Sequence, residues 1–134
     1  MTKDEIIAKV KELDLPAGSF VVFGGSPLAV AGLREANDID LLVTQEVYDD
    51  LKDKGWQEIE KGPNDKALSH GVFEAHNNWD FSFYNPTLKD LLVNAVEIDG
   101  IQFASIDDVR KWKEASGRTK DIRDIELIDR YLET

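Results

Sequence analysis

Residues 24–40, GGSPLAVAGLREANDID, decide how this chain is read. The stretch is preceded by Phe20-Val21-Val22-Phe23, a short apolar run bounded by Gly18 and by Gly24-Gly25, which predicts a buried strand. Within the stretch, Pro27 suits the first turn of a helix and Ser26 can cap it. LAVAGL then carries the chain to a turn at Ala36-Asn37, and Asp38 to Val43 predicts a second strand. A strand, a helix and a returning strand put Gly24 and Gly25 at the same end of a sheet as Asp38 and Asp40.

Side chains alternate between faces along a strand. In DIDLLV, Ile39, Leu41 and Val43 therefore share the core face, while Asp38 and Asp40 share the other. Two carboxylates held side by side at the edge of an apolar core are costly unless a cation neutralises them or one is protonated. A divalent metal ion resolves that cost. The same alternation in WDFSFY, residues 79–84, sets Trp79, Phe81 and Phe83 on the core face and gives a third strand carboxylate, Asp80. Three carboxylates suit hard cations that keep sites open for water and phosphate oxygens. Gly24, Gly25 and Ser26 supply the complementary feature, a loop whose backbone can approach a phosphate closely.

Outward from this segment, the elements follow from local signals. Thr2 with Glu5 is a capping box, and Ile6, Ile7, Val10 and Leu13 recur at helical spacing. Gln45 to Lys54 predicts a helix closed by Gly55, and Trp56 to Glu60 a strand ahead of a turn at residues 62–65. Leu68 to Ala75 and Trp79 to Tyr84 predict two strands joined across His76-Asn77-Asn78. A short helix over Thr87–Asn94 and a hairpin about Asp99-Gly100 follow. Ser105 with Asp108 starts a helix on which Arg110, Lys111 and Lys113 face outward. A last helix from Thr119 sets Ile122, Ile125, Ile128 and Leu132 on one face. The expectation is one α/β (α+β) domain over residues 1–134, a mixed central sheet flanked by helices, with its core in residues 18–85 and a helical part in 105–134.

Composition narrows the function classes. The absence of cysteine excludes disulfides and thiolate metal sites, so a cytoplasmic setting is expected. No segment has the apolar length of a membrane span or a signal peptide. A net charge of −11 argues against non-specific nucleic-acid binding, which depends on Lys and Arg displacing counterions from phosphates. The exception is local: six cationic residues lie between Arg110 and Arg123 against Glu114 and Asp121, a surface suited to a phosphorylated substrate. No P-loop, dinucleotide fingerprint, zinc-protease motif or nucleophile elbow occurs.

With Gly24-Gly25-Ser26, a spacer and Asp38-Ile39-Asp40-Leu41 in view, the chain resembles the DNA polymerase β type nucleotidyltransferase superfamily, over about residues 18–85. Residues 105–128, SIDDVRKWKEASGRTKDIRDIELI, are similar to the tail of a branch that includes abortive-infection toxins and other stand-alone nucleotidyltransferases. The resemblance implies a nucleotidyltransferase-like fold. It implies that Asp38, Asp40 and Asp80 bind Mg²⁺ or Mn²⁺ and that Gly24, Gly25 and Ser26 hold a nucleoside triphosphate. It further implies that a hydroxyl acceptor displaces pyrophosphate, and makes Arg34, Lys113, Arg118 and Lys120 candidates for phosphate contacts. The acceptor is left open among a tRNA end, a protein hydroxyl and a small molecule.

Plainer readings stand beside these. Gly24-Gly25 alone is a turn, Asp38 can cap one, and Asp40 can be an edge-strand charge. His70 and His76 have no metal-ligand spacing with each other and are assigned no role; Trp56, Trp79 and Trp112 read as packing. Two other classes compete with an active transferase: a lapsed nucleotide-binding or regulatory module, and a toxin-antitoxin component.

Overall fold

The computed structural model describes residues 1–63, 65–79 and 83–133, which form a seven-stranded mixed sheet with helices on both faces. Helix α1 (Lys3–Leu13) carries the expected capping box, with the Glu5 amide donating to the Thr2 hydroxyl. The pair that carries the decisive segment follows: β1 (Phe20–Phe23), the short helix α2 (Ser26–Val30) and β2 (Ile39–Val43). β1 and β2 are antiparallel neighbours, with Phe23 opposite Asp40. Next come α3 (Gln45–Asp53), capped by the Thr44 hydroxyl, then β3 (Gln57–Gly62), β4 (Asp65–His70) and β5 (Phe73–His76). The chain ends with α4 (Leu88–Asn94), the hairpin β6 (Val96–Ile98) and β7 (Ile101–Phe103), α5 (Ile106–Ser116) and α6 (Thr119–Glu133).

The spatial order is β3-β4-β5-β2-β1-β7-β6. β5 runs parallel to β2 and β7 parallel to β1, and the other pairings are antiparallel. Ile39, Leu41, Val43 and Val22 pack on one face with residues of α1 and α3. Val21, Phe23 and Leu42 pack on the other with Leu28, Leu91, Val109, Trp112 and Ile128. The face that Asp40 shares is thus not an open surface; it is a second core beneath α5 and α6, and Asp40 lies at its rim. Phe23 anchors that core, fully buried, with its ring stacked 4.7 Å from Trp79 and edge-on to Trp112 at 5.6 Å. Phe23→Ala is expected to cost about 3–5 kcal/mol, read as a lowered denaturant midpoint.

Several local expectations are corrected. Leu68–Ala75 is not one strand: Gly71, at φ +58°, reverses the chain between β4 and β5. Left-handed backbone of this kind is tolerated by glycine. Of the strand expected over residues 79–84, Trp79 and Phe83 lie outside any strand and Tyr84 makes only an isolated bridge, and Phe83 is 73% exposed rather than core-facing. Residues 80–82, and with them Asp80, lie outside the described residues. α2 is capped by the Gly25 backbone, not by the Ser26 side chain, and ends after five residues as Gly32 takes a positive φ. α6 is rotated from the expected face: Asp121, Asp124 and Ile128 are buried, whereas Ile122 and Leu132 are about half exposed. No helix among the described residues is long and apolar enough to cross a membrane.

Candidate active site

The ends of β1, β2 and β5 meet α5 and α6 around a cavity of about 660 Å³. Its sheet wall is built by register. Asp40 lies opposite Phe23 on one side and Glu74 on the other, so Asp40 and Glu74 are adjacent across parallel strands. Gly24, just past Phe23, has φ +66°, and a Cβ there would fall within 2.9 Å of the Asp40 Cγ. Glycine is therefore required twice, for its backbone conformation and for the approach of the Asp40 carboxylate. At Gly25 a Cβ would meet the Arg34 guanidinium at 2.7 Å, so this glycine lets Arg34 lie across the loop.

The carboxylates are electrostatically crowded. Burial, then repulsion from Asp38, pushes the Asp40 carboxyl up to about 6, and His76 offsets part of this. Glu74 shows the opposite behaviour. The His76 imidazole beside it and Lys61 outweigh burial and hold it down to about 2. His76 Nε2 stands 3.0 Å from Glu74 Oε1, and Lys61 Nζ 3.1 Å from the same oxygen. Asp38, exposed at the cavity edge, is tied down through its backbone, whose carbonyl accepts a hydrogen bond from Ser26 Oγ at 3.2 Å.

The opposite wall is a network of ion pairs built on the buried Asp121, Asp124 and Lys113. Asp124 accepts two hydrogen bonds from Arg34, from Nε and Nη2, each 2.8 Å, and pairs with Lys113 Nζ at 2.8 Å. Asp121 receives Lys113 Nζ at 3.2 Å and Arg118 Nε at 2.7 Å. Trp112 lies beneath these cations, its ring 4.4 Å from Lys113 Nζ and 5.7 Å from the Arg118 guanidinium. Lys113 is only 2% exposed, which corrects the expectation that it faces outward with Arg110 and Lys111. Arg110 is itself engaged by Asp129 and Glu114. The basic stretch is in large part internally neutralised, and the cations of α6 left exposed at the cavity are Lys120 and Arg123.

Burial raises the Asp121 carboxyl, but Arg118, Ser116 and Lys113 outweigh it and bring the group down to about 2. A folded-state value below the unfolded one of about 4 means that the stabilisation is full above pH 4 and is lost as pH falls toward 2. Urea midpoints measured across that window are expected to drop more steeply for the native chain than for Asp121→Asn. Equal slopes would contradict this.

Of the residues singled out in the sequence, Gly25, Arg34, Asp38, Asp40, Lys113, Arg118 and Lys120 line the one cavity. Gly24 and Ser26 are buried beneath it and shape the loop instead of facing it. Glu74, Lys61, Asp121 and Asp124 are residues that sequence reasoning did not single out, and His76, which it considered and gave no role, is buried beside Glu74. Glu74 had a readable signal, since it alternates with the buried Phe73 and Ala75 as Asp40 does with Ile39 and Leu41.

No protein-family model matches the chain, and no curated protein matches it significantly. One solved structure is similar: that of the aminoglycoside nucleotidyltransferase ANT(2'')-Ia in complex with adenylyl-2''-tobramycin. The superposition covers 95% of this chain and 85% of that one, with a TM-score of 0.56 and 16% sequence identity. The fold is thus nucleotidyltransferase-like, a mixed sheet flanked by helices.

Proposed function

We propose that the chain is a metal-dependent nucleotidyltransferase that moves a nucleoside monophosphate from a nucleoside triphosphate to a hydroxyl acceptor. The observation that carries this reading is the convergence of Gly24 and Asp40 at the floor of the cavity, with Asp38 at its edge and cations on the facing wall. The likeness of the fold to an enzyme whose structure holds an adenylylated small molecule supports it.

Asp38 and Asp40 would hold Mg²⁺ or Mn²⁺, and Asp80 is proposed as a third carboxylate. Support for Asp80 comes from its neighbour Trp79, which stacks on Phe23, the residue paired with Asp40. When bound, the metal neutralises phosphate charge and lowers the pKa of the attacking hydroxyl. Gly24 gives way to the Asp40 carboxylate and Gly25 to the Arg34 guanidinium, so the loop would set both groups toward the triphosphate, and Ser26 fixes the loop against Asp38. Lys120, Arg118 and Arg34, with Lys113 behind them, oppose the phosphate charge. The acceptor oxygen bonds to the α-phosphorus, the bridging α–β P–O bond breaks, and pyrophosphate departs. The hydroxyl proton passes to a carboxylate of the cavity. In such a reaction the protein contributes chiefly position and charge.

The test is thermal shift with Mg-ATP, GTP, CTP and UTP, followed by pyrophosphate release with a small aminoalcohol, a seryl or tyrosyl protein and a tRNA as acceptors. Stabilisation by at least one nucleotide and pyrophosphate release with one acceptor are expected. No shift with any nucleotide would refute the reading. A second reading, a nucleotide-binding module without turnover, is favoured by one observation: Asp121 and Asp124 already occupy Lys113, Arg34 and Arg118. Nucleotide binding with no pyrophosphate from any acceptor supports that module. Growth arrest on expression of the native chain, but not of Asp38→Ala, would mark a toxin.

A further inference from the structure

We propose that Asp40, Glu74 and His76 form a mixed oxygen and nitrogen site for a divalent first-row transition-metal ion, selecting Mn²⁺ over Mg²⁺. This rests on the reading of the cavity as metal-dependent and specifies which ion it takes. One ligand atom from each residue lies within 4.8 Å of the other two. Two ligands on opposite sides of a Mg²⁺-sized ion stand about 4.2 Å apart, so the three groups are already close to enclosing one.

His76 carries the inference. The residue is 9% exposed, and among the described residues its buried Nε2 has no hydrogen-bond partner. The Trp79 ring fixes it edge-on, 4.8 Å between centroids. Nε2 faces the Glu74 carboxylate at 3.0 Å without the alignment of a hydrogen bond. At that distance Nε2 is satisfied by a proton held against Glu74 or, with the proton displaced, by a metal ion that takes both groups as ligands. Strand register makes the arrangement stiff, because Asp40 pairs with Glu74 and Leu42 with His76 along the same two strands. Lys61 stands at Glu74 from β3, but its side chain is 43% exposed and long enough to swing into solvent. It is a displaceable counterion.

The donor set decides the ion. Carboxylates alone suit Mg²⁺, while an imidazole nitrogen shifts preference along the Irving–Williams order toward transition metals. Within that series, two carboxylates with a single nitrogen fit Mn²⁺, the member that shares most of the oxygen preference of Mg²⁺, and their place on the cavity wall leaves coordination positions for phosphate.

The test uses the full chain without nucleotide. Mn²⁺ titration followed by water-proton relaxation is expected to show affinity at least tenfold above that for Mg²⁺ in competition. Pulsed electron paramagnetic resonance of bound Mn²⁺ should show coupling to a ¹⁴N nucleus. His76→Gln should abolish that coupling and weaken Mn²⁺ about tenfold or more, leaving Mg²⁺ affinity within a factor of two. Lys61→Met should tighten Mn²⁺ severalfold. Bound Mn²⁺ without ¹⁴N coupling in the native chain, or equal Mn²⁺ and Mg²⁺ affinities, would overturn the proposal, and neither result depends on a variant folding. Nucleotidyl transfer surviving such a result would leave the function intact with carboxylate ligands alone. ¹⁴N coupling without transfer would leave this site standing and refute the enzyme.

Discussion

Asp40→Asn is expected to reduce nucleotidyl transfer by about 10³-fold or more while the melting temperature holds or rises. The two effects separate because Asp40 is badly placed for stability. It is adjacent to Glu74 across the sheet, repelled by Asp38, and buried far enough that its carboxyl is pushed up to about 6. Asparagine keeps the shape and removes the charge, so the fold sheds repulsion that a cation or a proton would otherwise relieve. Steady-state rates beside thermal melts of the two chains check both halves. A large loss of stability with activity unchanged would make Asp40 a structural residue and remove the basis for a metal at this end of the sheet.

Asp124→Ala should lower stability by about 3–5 kcal/mol, seen as a fall of some 10 °C or more in melting temperature. Asp124 is the common anion of Arg34, in the segment after α2, and Lys113 on α5. Removing it leaves the nearly inaccessible Lys113 ammonium with Asp121 alone, which Arg118 already engages. It also frees the Arg34 guanidinium from the bidentate contact that holds it over Gly25. Lys111→Ala, on the exposed side of α5, is the control and should change the melting temperature little. Similar small losses in the two variants would show that the network does not tie the helical part to the sheet.

The order of elements around Gly24 to Val43 was legible because its determinants are local: a glycine pair, a proline at a helix start, and strand alternation. The capping boxes of α1 and the Ser105 cap of α5 were legible for the same reason. The split of Leu68–Ala75 was not, since its apolar residues continue through Gly71 and only the backbone reversal at that glycine divides them. The face of α6 was misread on physical grounds. Isoleucine periodicity points to Ile122 and Leu132, whereas the buried positions are Asp121 and Asp124, which can lie inward because Lys113, Arg118 and Arg34 meet them there. Charge pairs that form between distant segments invert the usual rule of apolar inside.

The candidate site divides the same way. Asp38, Asp40 and Gly25 were found from a motif within one stretch of chain, and the structure sets them on one cavity. Glu74 and His76 become neighbours of Asp40 only through the parallel pairing of β5 with β2, which joins residues more than 30 positions apart and carries no spacing signal. Their contribution could be weighed only once that register was known.

The most direct test of the central claim is a crystal structure of the chain with Mn²⁺ and a non-hydrolysable nucleoside triphosphate, with the metal located by anomalous scattering. The account predicts an anomalous peak bonded to Asp40, with the triphosphate beside Gly25 and facing Lys120. A triphosphate bound elsewhere on the surface, or one in the cavity with no metal at Asp40, would contradict it.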